Sequence, residues 1–350
     1  MNQHAHRLKA SDGLLTSAYD CAMLDLDGVV YVGADAVEGV PERLAEARRR
    51  GMTLAFVTNN AARTPSEVAR QLRALGVEAA DSDVVTSAQA AAAVVARRFP
   101  AGARVLVVGG DGLVAALEER GLSPVSSADD DPAAVVQGFH PTVSWPMLAE
   151  ASYAIARGIP WIASNLDPTV PTPRGLAPGN GSLVEAVGHA VGRGPDEVAG
   201  KPYRPLFDET VERTGAQRPL VIGDRLDTDI EGAVNCGADS LLVTTGVTSI
   251  ADVCRARDGQ RPDYVATTMA GLLAEHAAPQ RDGEARWSLG GWRVAVDDVG
   301  AVQVEADGSH GDDGLRAGVA ACWEWLEGSG DEGDNAIDTR RLEAAMADRR

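Results

Sequence analysis

Along this chain, short apolar runs that end abruptly in acids, amides or glycine alternate with longer charged stretches of helical period. The run Cys21, Ala22, Met23, Leu24 stops at Asp25-Leu26-Asp27-Gly28, as a buried strand does where its carboxyl end emerges into a loop. A short hairpin-like stretch follows over 29–33. Pro41 then opens a charged helix that continues through Arg50, Gly51 stops it, and 53–57 reads as the next strand, completing one right-handed βαβ unit. Thr64-Pro65-Ser66-Glu67 has the form of a helix start. Further strands are predicted at 104–108, 161–164, 220–223 and 240–245, with a helix over about 229–236. Strand and helix alternate almost throughout, so the fold class is α/β, a parallel sheet covered by helices.

The intervening loops differ in what they offer. Gly109-Gly110-Asp111-Gly112 follows a strand but carries only part of a dinucleotide fingerprint, so it reads as a tightened turn. The stretch from Pro168 to Gly181 is polar and rich in proline and glycine, and long enough to face a substrate. From about Pro279 the character changes: a hairpin is predicted over 292–296 and 301–305, a helix over 315–326, and an acidic linker over 329–335. Four of the six tryptophans lie in this tail, which points to a small core of its own rather than to a ligand platform.

Composition narrows the partners. A chain of 350 residues has room for two or three compact units and a site between them. Its 32 Lys and Arg stand against 51 Asp and Glu, a net charge of −19, which argues against nucleic acid or an anionic membrane as partner. Residues 1–20 lack the apolar core of a signal peptide, and no stretch approaches the roughly 20 apolar residues of a membrane span, so cytoplasmic residence is expected. Cys21, Cys236, Cys254 and Cys322 are scattered without C-x-x-C spacing, giving neither a zinc site nor a disulfide framework.

The chemistry lies at the strand ends. Asp25 and Asp27 emerge from the first strand together, and burying either unpaired is costly, so they need a cation. At the carboxyl edge of a parallel sheet, a hard divalent metal bridging carboxylate and phosphate oxygens supplies it, and Mg²⁺ is the natural choice. Thr58-Asn59-Asn60 closes the second strand with a hydroxyl and two amides suited to phosphate oxygens. Lys201 offers a point charge just before a helix, and Asp224 leads a second acidic strand end that continues to Asp229. Taken singly, Thr58 could be a cap, Lys201 a solvated lysine, and Asp224 with Asp229 a favourable helix start. Taken together, they put two acid clusters and one set of phosphate-type donors at the ends of apolar strands.

This ordered set resembles the haloacid dehalogenase superfamily of phosphohydrolases over residues 23–273, through Asp25-Leu26-Asp27-Gly28-Val29, Thr58, Lys201, and Gly223-Asp224 through Asp229. The resemblance implies a doubly wound, Rossmann-like core and a phosphomonoester hydrolase working through an aspartyl-phosphate. In that scheme Asp25 is the nucleophile, Asp27 the general acid and base, and Thr58 and Lys201 the phosphate anchors. Asp25, the Asp27 carbonyl and Asp224 would be metal ligands, with Asp229 a supporting or direct acidic residue. Val29 and Val30 depart from the Thr-Leu or Thr-Val frequent after Asp-Gly, without touching the carboxylates.

Spacing carries the resemblance further. Only 33 positions (58 − 25) separate Asp25 from Thr58, whereas 143 (201 − 58) separate Thr58 from Lys201, enough for a whole α/β domain. An insertion there is similar to the NagD-like and para-nitrophenylphosphatase-like branch, whose cap favours compact substrates. The strings Asn165-Leu166-Asp167 and Pro178-Gly179-Asn180-Gly181-Ser182 match that branch, and Asn165 and Asp167 are the cap residues expected to face substrate. The implied organisation is a discontinuous core over 18–86 and 191–278, a cap over 87–190 and a small α+β extension over 279–350. Within the branch, the motifs look most like bacterial glycerol-3-phosphate phosphatases, which implies glycerol 3-phosphate as substrate and a homodimer as a plausible assembly. The extension vaguely resembles part of an acetyltransferase fold but shows no acyl-cofactor loop, so a structural or regulatory role is expected for it. A sugar-phosphate or nucleotide phosphatase is the nearest alternative. A phospho-accepting signalling domain, or an inactive scaffold on the same fold, is the alternative from another class.

Overall fold

The computed structural model describes residues 7–172, 174–283, 286–329 and 337–347. The apolar runs pair as parallel strands buried on both faces, and the chain divides into two compact units. In the first, Met1–Leu54 with Ala216–Arg350, the strands follow the order Tyr264–Ala266, Asp239–Val243, Pro219–Gly223, Cys21–Leu24 and the start of Thr53–Thr58. Register then sets the site. Leu24 lies opposite Ile222 and Gly223 opposite Leu242, so neighbouring strands finish almost level and Asp25 and Asp224 leave at the same edge.

In the second unit, Ala55–Gly215, the end of Thr53–Thr58 pairs in parallel with Val84–Thr86. The residues predicted as an insert, 87–190, fall within this unit. A separate five-stranded parallel sheet follows the order Glu197–Val198, Trp161–Ala163, Ala134–Gln137, Arg104–Val108, Ser123–Val125. Its core gathers Leu106, Val108, Val135 and Trp161 with Ala151, Ile155, Val184 and Val187 from the helices Trp145–Ala156 and Asn180–Val191.

The local signals hold closely. Thr64 caps the helix Pro65–Ala74 reciprocally with Glu67, as the Thr-Pro-Ser-Glu string predicts. The strand Arg104–Val108 keeps its predicted bounds. Two readings change. The stretch expected as a polar loop from Pro168 to Gly181 instead forms the hairpin Thr169–Thr172 with Gly175–Pro178 and opens the next helix at Asn180. The helix expected over 229–236 begins with a π-helical turn, Leu226–Ile230, before Glu231–Cys236.

After Pro279 the first unit continues as a four-stranded antiparallel sheet and the helix Gly311–Ser329. Its tryptophans do not make a core of their own. Trp287, Trp292 and Trp323 pack in one buried cluster with Ile230, Leu242, Ile250, Val253 and Val265 from the parallel-sheet region. Polar bonds reinforce this fusion: Trp323 Nε1 donates to the Val253 carbonyl at 2.9 Å, and the Thr267 amide and hydroxyl donate to Asp312 at 2.8 and 2.7 Å. From residue 330 the predicted acidic linker lies outside the described residues. Among the described residues, no helix is long and apolar enough to cross a membrane.

Candidate active site

Asp25, Asp224 and Asp229 of the first unit converge, each offering a carboxylate oxygen within 4.8 Å of the others. Asp25 is half-buried, while Asp224 and Asp229 are only 0 and 1% exposed. Three carboxylates this close and this dry repel one another, and a hard divalent cation is the group that relieves them. The backbone holds the cluster. The Asp25 amide donates to the Ile222 carbonyl at 2.9 Å, the Val247 amide to Asp224 Oδ2 at 2.6 Å, and the Arg225 amide to Asp229 Oδ2 at 3.1 Å. Asp229 thus belongs to the same cluster as the other two.

Glycines make the room. Gly28 has φ +85°, and a Cβ there would lie 2.4 Å from Asp224 Oδ2; a Cβ on Gly246 would lie 2.0 Å from the same atom. Gly28→Ala is therefore expected to lower Mg²⁺ affinity about tenfold or more and stability by about 1–2 kcal/mol, since both strain and collision fall on Asp224. Gly33→Ala, at φ +61° in open space, should show the backbone effect alone. Calorimetric Mg²⁺ titration of both variants checks this; equal affinities would remove Gly28 from the metal site.

Asp27 stands apart from the three. It is exposed, in a turn closed by bonds from the Gly28 amide to the Tyr31 carbonyl and from the Val30 and Tyr31 amides to the Leu26 carbonyl. Thr245 Oγ1, just beyond the strand Asp239–Val243, donates to the Gly28 carbonyl at 2.6 Å and braces the turn. Asp25 is thus half-buried among acids, while the Asp27 carboxylate is open to proton exchange with solvent.

In the second unit, the strand-end residues form a network centred on Asn59. Its Oδ1 accepts from the Lys201 amide at 2.7 Å, and its Nδ2 donates to Asp167 Oδ1 and the Lys201 carbonyl, both at 3.1 Å. Both amide hydrogens are thereby committed to protein atoms. The Asn59 carbonyl accepts from Ser87 Oγ at 2.6 Å and Asn165 Nδ2 at 2.7 Å. Asn60 Oδ1 caps the following turn, accepting from the Ala62 and Arg63 amides, and its own amide donates to Thr58 Oγ1 at 3.1 Å. Thr58 and Lys201 are 5% exposed, and Lys201 precedes a cis proline.

The same network explains the Pro178 to Ser182 string. The Gly179 and Gly181 amides donate at 2.9 Å to the Pro168 and Asp167 carbonyls, so close that a Cβ on either would lie 2.3 Å from a backbone oxygen of the 165–168 loop. Asn180 Nδ2 donates to the Asn165 carbonyl at 2.7 Å. Sequence reasoning missed Asn180, Ser87 and Gly200 as positioning residues. Gly200 was legible beside Lys201, since a Cβ there would stand 2.5 Å from Asn59 Oδ1.

The sequence model described as haloacid dehalogenase-like hydrolase matches residues 22–123, and a second, HAD-hydrolase-like model matches 198–272. D-glycerol 3-phosphate phosphatase of Mycobacterium tuberculosis is 44% identical over 322 residues, covering 89% of this chain and 87% of the relative. The chain is a haloacid dehalogenase-like hydrolase. Another member, the acid sugar phosphatase of Staphylococcus aureus, is 36% identical over 67% of this chain and 90% of its own. The crystal structure of the M. tuberculosis glycerol phosphate phosphatase in complex with magnesium superposes with a TM-score of 0.83 at 41% identity, covering 96% of this chain and 99% of that one. The matched regions of this haloacid dehalogenase-like hydrolase include Asp25, Asp27, Thr58, Lys201, Asp224 and Asp229.

Proposed function

We propose that this chain hydrolyses glycerol 3-phosphate to glycerol and phosphate through a phosphorylated Asp25, with Mg²⁺ as its metal. The observation that carries the reading is the convergence of Asp25, Asp224 and Asp229 beside an exposed Asp27. It is supported by the names of the similar phosphatases and by magnesium in the related structure. The Asp25, Asp224 and Asp229 carboxylates, with the Asp27 carbonyl, are the proposed ligands. When bound, the cation neutralises charge between the attacking carboxylate and the phosphoryl oxygens.

In this scheme Asp25 attacks phosphorus in line as the bond to the glycerol oxygen breaks, and Asp27 gives that oxygen its proton. Water then attacks the aspartyl-phosphate, giving its proton to Asp27 and freeing Asp25. Lys201 and Thr58 hold the phosphoryl oxygens, Lys201 as a point charge and Thr58 as a hydroxyl donor. The network through Asn59 fixes the backbone at both anchors, a positioning role for a residue whose amide is already engaged. Asp167, Asn165 and Asn60 are proposed to bound the substrate, and residues 87–190 to act as the cap that sets its size. A cytosolic homodimer belongs to the same reading; Cys21, Cys254 and Cys322 are buried cysteines outside any disulfide, and Trp145, Tyr153 and Leu176 are exposed apolar surface.

Phosphate release from a panel of phosphomonoesters, with and without Mg²⁺, tests the substrate. Glycerol 3-phosphate should exceed sugar phosphates and nucleotides by about tenfold or more in kcat/KM, a difference of about 1.4 kcal/mol in transition-state binding. Preference for a sugar phosphate would favour the alternative, for which the staphylococcal relative speaks.

A further inference from the structure

The first unit contains a cavity of about 960 Å³ whose walls include Thr244, Thr245, Glu275, His276, Asp313 and Arg316, and none of the residues assigned to catalysis. Its size falls at the upper end of the roughly 300–1,000 Å³ typical of small-molecule sites. Arg316, on the helix Gly311–Ser329, is 3% exposed. Its Nη2 donates to the Lys9 and Ala277 carbonyls, its Nε has no hydrogen-bond partner, and no carboxylate among the described residues lies within 4 Å of the guanidinium. Asp313 and Asp312 act on this buried guanidinium through space without a close ion pair, and a ligand carboxylate in direct contact would offset more of its desolvation.

A second buried group, beside Arg316, lines the same cavity. His276 is also 3% exposed, with Nε2 2.8 Å from the Gly271 carbonyl. A carbonyl only accepts, so Nε2 carries the proton, and Nδ1 remains a buried acceptor without a partner. Burial lowers the pKa of this imidazole and keeps it neutral. Asp313 lies three residues before Arg316 on the same helix, so the two share a face, and it acts on the guanidinium through space. With Glu275 and Asp312 also on the walls, carboxylates outnumber the guanidinium, and a simple phosphate or dicarboxylate would meet net repulsion. A compact molecule carrying both signs matches every group.

We infer that this cavity binds a small zwitterion of the α-amino acid class, its carboxylate on Arg316 and its ammonium taken by the carboxylates of the walls, Asp313 among them. The site connects with the catalytic turn: Thr245 on its wall donates to the Gly28 carbonyl, and Val247, two residues on, donates to Asp224. Binding there should shift Mg²⁺ affinity, and Mg²⁺ should shift amino-acid affinity by the same factor.

Calorimetry of the full-length protein with a panel of proteinogenic L-amino acids is the test. The expected result is saturable binding of at least one, with Kd below about 1 mM, undisturbed by glycerol 3-phosphate. Arg316→Gln and Asp313→Asn, each verified as folded by circular dichroism, should each weaken it about tenfold or more. Several outcomes would overturn the proposal: no saturable binding up to about 10 mM, affinity unchanged in both variants, or displacement by glycerol 3-phosphate. Equal binding of the matching amine or hydroxy acid would overturn the zwitterion class. Since these readouts do not depend on phosphate release, failure here is distinguishable from failure of the phosphatase reading.

Discussion

Asp25→Asn is expected to lower phosphate release by about four orders of magnitude or more, the scale seen when a nucleophile that works as part of a unit is removed. The substitution keeps the shape of the side chain but leaves an amide oxygen too weak to attack phosphorus. It also takes one of three converging carboxylates from the cluster, so Mg²⁺ affinity should fall with turnover. Asp27→Asn should behave differently. Asp27 lies outside the converging group and is exposed, so its loss should slow turnover by about 10²–10⁴-fold while leaving Mg²⁺ binding close to wild type. Rapid quenching of that variant should trap phosphate on Asp25. Phosphate release coupled to a separate Mg²⁺ titration resolves the two cases, and an Asp25→Asn enzyme retaining a tenth of its rate would end the nucleophile assignment.

The other large effect concerns the tail. Trp292 is 0% exposed, and its Nε1 donates to the His310 carbonyl at 2.7 Å. Trp292→Ala should cost about 3–5 kcal/mol, the range for emptying a large aromatic site in a packed core. Because Trp292 shares its cluster with Leu242, Ile250 and Val265, that loss should be felt in the region carrying Asp224. Urea unfolding followed by tryptophan fluorescence and by phosphatase activity should then shift together. Activity surviving after the tail has melted would restore the tryptophans to a core of their own.

The parts legible in the sequence were those whose cause is local. Apolar runs stop where a strand leaves the sheet, so Asp25, Thr58 and Asp224 could be read as strand ends, and the cap at Thr64 could be read from Glu67 alone. What escaped depends on contacts distant in the chain. The Pro168 to Gly181 stretch has a loop's composition, but Gly179 and Gly181 serve close backbone approach, and Asn180 starts a helix there. The amides at 59 and 60 have the right chemistry for phosphate, yet Asn59 meets Lys201 and Asp167, residues more than a hundred positions away. The tail's apolar faces were evident too; which surface they cover was not, because hydrophobic burial is non-directional.

Asn59 also bears on how this chain could be re-engineered. The bonds that fasten Lys201 to the strand end at Thr58 run through residues 59 and 201 themselves, so the two residues are tied locally although 143 positions separate them (201 − 58). A replacement for the intervening segment must keep the Ser87, Asn165 and Asp167 contacts, the packing of the helix Ser87–Arg98 on Arg204–Thr214 and a partner for the buried Glu209 that Arg120 now pairs. Grafting a different insert between those fixed points should therefore yield chimaeras that retain the hydrolytic machinery while acquiring a new substrate range.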